Sequence, residues 1–311
     1  MRLTPLRADS LLFLVALIWG VTFIAQRHAM VQEVTPLAFN GMRYLIGALT
    51  VAPLLLFTRR IRPDESPSGR RIEKGHLLRG GILIGVVSAL AAGFQQVGMV
   101  HTEAGPAGFI TGLYVLFTPV IGSLLGIRTR GSTWLGAGLA VVGMWFLAVA
   151  HGEDGSFQLK TSELLILVGA MLWAVQVLAV GRFASRTDPI ELVLAQLIVA
   201  ALCSFLAEVV VHPSEFMSNI MGMFRRAPVE ILFTGVLAIG VAFPLQIIAQ
   251  RKSPPSHVAV ILATEAPFAA LGGWLILSES YDGRQILGGL IMLVGIFTSQ
   301  VPRLLANRGK S

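Results

Sequence analysis

The chain has 311 residues, of which 54% are hydrophobic and 13% charged, with a formal charge of +7. Soluble domains average about 25% charged residues, so a water-soluble globule is excluded. The single cysteine, Cys203, excludes a disulfide framework and a cysteine-based metal site.

A membrane span needs about 20 mostly apolar residues. Ten segments qualify: 9–27, 36–58, 77–99, 104–127, 132–150, 161–183, 188–211, 228–250, 256–277 and 283–304. The first is long for a signal peptide and no clear small-x-small cleavage site follows it, so it reads as a retained helix. Residues three, four and seven apart share a helix face. On that spacing the first segment presents Trp19, Thr22, Phe23 and Gln26. The second opens on Thr35-Pro36 and presents Asn40, Arg43 and Tyr44. The third offers Ser88, Gln95 and Gln96. The fourth begins Gly105-Pro106, carries Thr111, Tyr114 and Thr118, and has Pro119 at mid-span. The fifth has almost nothing polar at mid-span.

The sixth segment presents Trp173 and Gln176. The seventh opens on Asp188-Pro189 and carries Gln196 and Cys203, with Glu208 near its end, where it is expected to reach water. Phe216, Ile220, Met221 and Phe224 in the loop 212–227 have helical spacing, as an interfacial helix would. The eighth segment presents Gln246 and Gln250. The ninth begins Ser253-Pro254, carries His257 near its end and Glu265 near its middle, and has Pro267 at mid-span. The tenth, like the fifth, is nearly devoid of mid-span polar groups.

The two halves read alike. Leu11 to Gly20 aligns with Leu165 to Ala174, and Trp19 falls on Trp173. Thr118-Pro119 matches Ala266-Pro267, Gly136 matches Gly288 and Gly143 matches Gly295. The expected division is 1–155 and 156–311, with five spans in each part. An odd-numbered unit must enter the membrane from the opposite side when repeated, so the halves are expected to be inverted around a shared mid-membrane site.

Lys and Arg accumulate in cytoplasmic loops. With the N-terminus inside, eighteen of the 24 basic residues fall inside, five outside, and Arg43 within a span. Both termini are therefore expected in the cytoplasm, with the chain in the plasma (inner) membrane. The positive charge sets orientation and calls for no nucleic-acid partner. No P-loop, His-Glu-x-x-His or Gly-x-Ser-x-Gly motif is present, so neither an enzyme nor a cofactor is expected.

The five-helix repeat, the early Leu11-Leu12…Trp19-Gly20 helix and the glycine-rich last helix after a glutamate resemble the EamA family of the drug/metabolite transporter superfamily. Leu277-Ser278-Glu279 followed by Gln285-Ile286-Leu287-Gly288-Gly289 carries the resemblance most strongly. The first half departs from it, with Ile127-Arg128 where the glutamate would stand. The resemblance implies an all-α carrier of ten transmembrane helices in two inverted repeats around a central cavity. Members export amino acids, metabolites or toxic compounds, and related branches import nucleotide sugars and triose phosphates. The neutral aromatic lining suits the broad range of the YddG-type aromatic amino acid exporters of that family.

The candidate substrate-binding residues are Trp19, Thr22, Phe23, Asn40, Arg43, Tyr44, Gln95, Tyr114, Thr118, Trp173, Gln176, Gln246 and Glu265, with Pro119 and Pro267 as hinges. Eight helices are expected to line the cavity, with the fifth and tenth outside it. Trp19 and Trp173 either line the cavity or pack helices. Arg43 either snorkels to the surface or anchors a carboxylate. Glu265 either couples a proton, holds a substrate amine or is a neutral structural acid. The prolines are either gates or static bends. A phosphate site needs convergent Arg or Lys, and the spans supply only Arg43, which disfavours phosphorylated substrates. The reading is a secondary transporter exporting aromatic or neutral amino acids and small amphipathic metabolites by alternating access, for which a monomer suffices in a lipid bilayer. The alternatives are efflux of organic cations, and a lipid flippase or membrane enzyme.

Overall fold

The computed structural model describes residues 4–61, 74–128, 131–148 and 160–308, and among these it contains helices and no strands. The basic run within 62–73 and the expected 155/156 boundary lie outside the described residues. In chain order the helices are α1 (Pro5–Val31), α2 (Pro36–Ile61), α3 (Lys74–Gly98), α4 (Ala104–Gly112), α5 (Tyr114–Leu124), α6 (Gly131–Ala148), α7 (Thr161–Phe183), α8 (Pro189–Val211), α9 (Phe216–Arg226), α10 (Pro228–Phe233), a π-helical stretch (Thr234–Val241), α11 (Ala242–Gln250), α12 (Pro255–Leu262), α13 (Glu265–Ile276) and α14 (Gly283–Arg308).

Local chemistry sets the starts of these helices. Asp188 caps α8 by accepting from the amides of Ile190 at 2.9 Å and Glu191 at 3.2 Å. Pro189 follows at the first helical position, where its missing N–H costs nothing. Asp282 and Gln285 cap α14 reciprocally, each side chain accepting from the other's amide at 2.8 Å.

Among the described residues, eight helical stretches are long and apolar enough to cross a membrane: Leu6–Val31, Pro36–Leu55, Gly75–Gly98, Ala104–Leu124, Thr161–Phe183, Pro189–Val211, Pro228–Gln250 and Pro255–Ile276. The expected fifth and tenth spans form helices α6 and α14, but their apolar stretches, Trp134–Gly143 and Gly283–Gly295, are shorter. Large apolar side chains cover the outside, among them Leu124, Leu206, Val210, Trp274 and Leu275. In water such a surface would aggregate; against lipid tails it is matched.

The packing interleaves the two halves. Helix α1 lies against α11, α12 and α13, and its counterpart α7 lies against α3, α4 and α5. Helix α2 packs on the π-helical stretch, and its counterpart α8 packs on α3. Helix α6 packs most extensively on α14.

Side-chain contacts tie helix ends together at both faces of the bundle. At the N-terminal face, His257 at the start of α12 meets Asp9 near the start of α1. At the opposite face, His28 near the end of α1 meets Glu230 at 2.7 Å, and the Arg27 guanidinium donates to the carbonyls of Met99 and Val100 at 2.9 and 2.7 Å.

Helix α9 does form from the 212–227 segment, and Met217, Met221 and Phe224 are exposed on it. Glu208 does not reach water. It is fully buried, accepts from Asn219 Nδ2 at 2.8 Å and lies 3.3 Å from His212 Nδ1. The first turn of α9, folding back beneath α8, supplies this partner and encloses the carboxylate.

The glycines that align between the halves meet crosswise. A Cβ at Gly143 would come within 2.5 Å of the Gly288 carbonyl, and one at Gly295 within 2.6 Å of the Gly136 carbonyl. Gly138, on the same helix α6, has nothing within 4 Å. Gly143→Leu should therefore part α6 from α14 and cost about 1–3 kcal/mol, the usual range for overpacking. Gly138→Leu should leave the thermal unfolding midpoint of the detergent-solubilised protein unchanged.

Candidate functional site

Both fourth helices are broken. The first divides at Leu113, between α4 and α5, and the second at Ala263-Thr264, between α12 and α13. Proline clashes with the carbonyl four residues back. For Pro267 that carbonyl belongs to Ala263, which instead accepts from the Ala266 amide at 3.2 Å. The break places Glu265 on the first turn of α13, where the unsatisfied amides favour a carboxylate. Tyr114 opens α5, the helix that follows the break in the first half. The Tyr114 hydroxyl lies within electrostatic reach of the Glu265 carboxyl but makes no hydrogen bond of normal geometry.

These two helix starts face a central cavity of about 60 Å³. Its wall includes Trp19, Thr22, Phe23, Arg43, Tyr44, Gln95, Tyr114, Trp173, Gln176, Gln246 and Glu265, all expected from helical spacing. Gln26, Thr111, Val177, Ala238, Ile239, Phe243 and Leu262 complete it. Two expected residues stand outside the lining. Asn40 is fully buried with both amide atoms unpartnered, and Thr118 turns back to donate to the Tyr114 carbonyl at 2.7 Å. A threonine that bonds its own helix one turn back has no hydrogen left for a ligand. Pro119 lies within α5, and Pro267 lines a separate lateral cavity of about 450 Å³ beside Phe109, Trp274 and Tyr281.

Phe243 joins the aromatic residues together. Its ring lies 5.2 Å from Trp19, 6.4 Å from Tyr44 and 6.3 Å from Trp173. It escaped sequence reasoning, although it stands three residues before Gln246 and seven before Gln250, the spacing of one helix face. The indole nitrogens are also fixed. Trp19 Nε1 donates to the Ala238 carbonyl at 2.9 Å, inside the π-helical stretch, and Trp173 Nε1 donates to Gln95 Oε1 at 2.7 Å. Gln176 and Gln246 exchange hydrogen bonds at 3.3 and 3.4 Å, and Gln250 donates to the Val177 carbonyl.

Arg43 does not snorkel, since it is only 4% exposed. It donates to Gln26 Oε1 at 2.7 Å, its Nε has no partner, and its guanidinium lies over the rings of Phe39 and Tyr44 at 5.8 and 5.6 Å. Glu265 is 3% exposed on the same cavity. Among the described residues no ion pair joins the two. A buried cation and a buried carboxyl thus share one cavity while standing apart. Among the described residues no group of three or more His, Cys, Asp or Glu could hold a metal.

The EamA-like transporter family model matches residues 6–149 and again residues 160–299. The chain belongs to that family. The two EamA matches fall on the two similar halves and leave only the connecting segment and the ends uncovered. An uncharacterized transporter of Archaeoglobus fulgidus is 29% identical over 94% of this chain and 85% of its own length. The uncharacterized transporter YoaV of Bacillus subtilis is 27% identical over 91% of this chain and 93% of its own. The threonine/homoserine exporter RhtA of Salmonella typhimurium is 28% identical, but over 48% of each chain. A solved crystal structure with 18% identity superposes with a TM-score of 0.68 over 97% of this chain and 99% of that one, which establishes a shared fold.

Trp173→Phe would remove the donor to Gln95 and leave a buried amide oxygen unpaired. The expected loss is about 1–3 kcal/mol, seen as a lowered thermal midpoint. Trp274→Phe, at an exposed apolar position, should leave the midpoint unchanged.

Proposed function

We propose that this EamA protein is a secondary transporter that exports zwitterionic amino acids, aromatic or neutral, by alternating access in the cytoplasmic membrane. The observation that carries the reading is the separated pair Arg43 and Glu265, both buried on one cavity and not joined to each other. Burying unpaired ionisable groups in a membrane protein is costly, and such groups mark substrate paths. A zwitterion meets both needs at once. Its carboxylate takes the open edge of the Arg43 guanidinium, and its ammonium takes Glu265. Trp19, Phe23, Tyr44, Trp173 and Phe243 offer flat apolar surface for the side chain. The half-length similarity to a threonine/homoserine exporter supports the same substrate class.

The two halves act as inverted five-helix repeats, 1–155 and 156–311, making ten membrane helices in all. The charge distribution of the loops favours cytoplasmic termini, so the N-terminal face is the cytoplasmic one. The closed cavity measures about 60 Å³. Small-molecule sites run to about 300–1,000 Å³, and the helices must therefore part to admit a solute. Pro119 and Pro267 serve as the bending points.

The test is counterflow in proteoliposomes loaded with unlabelled solute, following uptake of trace label. Wild type should accumulate aromatic or neutral amino acids. Arg43→Gln and Glu265→Gln should each lower the rate at least about tenfold, the worth of one charge-assisted hydrogen bond. Trp173→Ala should impair aromatic substrates more than small ones. Counterflow of an organic cation that survives Arg43→Gln and is lost in Glu265→Gln would replace the amino acid reading with cation efflux. No counterflow of any solute, with correctly inserted protein, would remove the amino acid assignment.

A further inference from the structure

Helix α4 is capped from the far half of the chain. Its own N-cap residue, Glu103, makes no side-chain capping bond. The amides of Ala104 and Gly105 instead donate to the two carboxylate oxygens of Glu279, at 2.7 and 3.1 Å. The Tyr281 hydroxyl donates to one of those oxygens as well. Glu279 lies just beyond the end of α13 and is 8% exposed. Burial and the neighbouring Glu279 and Glu103 carboxylates push the Tyr281 hydroxyl above its ordinary range, so it stays protonated and keeps donating.

The surroundings are shaped to this contact. A Cβ at Gly105 would come within 2.2 Å of the Tyr281 hydroxyl, and one at Gly273 within 2.2 Å of the Glu279 carboxylate. Ser278 takes the left-handed conformation, φ +56°, that turns the chain so that the Glu279 amide bonds back to the Gly273 carbonyl at 3.1 Å. A non-glycine residue there is strained, and the strain presents Glu279 to α4.

The N-terminal face has a counterpart built from different residues. Asp9, from the first half, accepts from Ser253 Oγ at 3.5 Å and sits 3.1 Å from His257 Nε2, at the start of α12. Pro254 and Pro255 open that helix without N–H groups, so side chains supply the donors. Each half therefore sends a carboxylate to the start of the other half's fourth helix. Those are the two broken helices, whose inner ends bear Tyr114 and Glu265 on the cavity.

We propose that Glu279 and Tyr281 form the latch that closes the mouth opposite the chain termini, holding α4 shut until transport requires it to swing, with Asp9 as the latch of the other mouth. Both are positioning residues, and the proposal rests on the alternating-access reading above. Release pivots on the break at Leu113, because α4 is only nine residues long and moves as one lever. Loss of the latch leaves that mouth open for a larger share of the time.

The test reads access rather than transport. In the full-length protein with Cys203→Ser, Thr111→Cys puts a single thiol on the cavity wall, and a membrane-impermeant maleimide is added from either face of oriented vesicles. Glu279→Gln, Tyr281→Phe and Gly105→Ala should each raise labelling from the face opposite the termini by about tenfold, the worth of one hydrogen bond to a charged group. Asp9→Asn should raise it from the N-terminal face only. Should Glu279→Gln fail to fold, the Tyr281 and Gly105 variants decide alone. Unchanged labelling in variants whose melting midpoints fall would reduce Glu279 to a static cap and overturn the proposal. Labelling of the parent protein from one face alone, whatever the state of Glu279, would instead remove alternating access. Altered labelling with no amino acid counterflow would keep the latch and discard the substrate.

Discussion

Inside hydrocarbon a backbone amide has no water to bond, so every N–H and C=O must be satisfied by the chain itself. This constraint orders the whole molecule. It forces long unbroken helices wherever the surface meets lipid, and it allows irregular backbone only where protein or a cavity encloses it. The breaks at Leu113 and Ala263-Thr264 lie among packed helices, and the π-helical stretch at Thr234–Val241 turns Thr234, Gly235, Ala238, Ile239 and Gly240 inward while Val236 and Leu237 stay exposed. Each freed group there has a use. The Ala238 carbonyl receives the Trp19 indole, and the first turn of α13 carries Glu265. The candidate site thus coincides with the places where regular helical hydrogen bonding is interrupted.

The polar lining follows from the same constraint. Gln95, Gln176 and Gln246 on the wall, and Gln250 one turn beyond Gln246, are buried away from lipid, and they bond one another or the indole of Trp173. That leaves Arg43 and Glu265 as the charged residues of the wall. A guanidinium over two aromatic rings keeps part of its attraction from the ring faces, yet its Nε is still without a partner. On the proposed reading, such a site favours a ligand that brings both signs of charge and penalises one that brings a single sign. Selectivity on these terms comes from leaving the wrong solute's partner unpaired, which is a larger effect than shape in an apolar pocket.

Much of this was legible in the sequence because membrane helices follow simple rules. Length and apolarity gave away eight of the ten expected spans, and the three-four-seven spacing put eleven of the expected residues on a single wall. The repeat was legible because Trp19 and Trp173, Pro119 and Pro267, and the four glycines keep their offsets. The failures share a cause as well. Helical spacing assigns a face but not what the side chain bonds, so Thr118 was placed on the cavity when it bonds back to Tyr114. Glu208 was expected in water because α8 ends there, whereas α9 folds back over it. Phe243 was missed because an apolar ring in an apolar helix carries no contrast. The π-helical stretch has no composition that marks it. The partner of Glu279 lies 174 residues away, beyond any local pattern, although the absence of a matching acid at Ile127-Arg128 did mark this glutamate as a feature of one half alone.

That asymmetry bears on how a two-fold molecule can work in one direction. Strictly equivalent halves would give two mouths of equal stability. Here one mouth is tied by a buried carboxylate on two backbone amides and a tyrosine, and the other by a more accessible aspartate on a serine and a histidine. Hydrogen bonds to a buried charge are worth more than those shared with water. On the latch reading proposed above, the two mouths are held by ties of different chemistry. With the termini proposed in the cytoplasm, the Glu279 tie is the outward one and the Asp9 tie the inward one. On that proposal, a bias toward export would come from the ties at the two ends of the bundle rather than from the cavity itself.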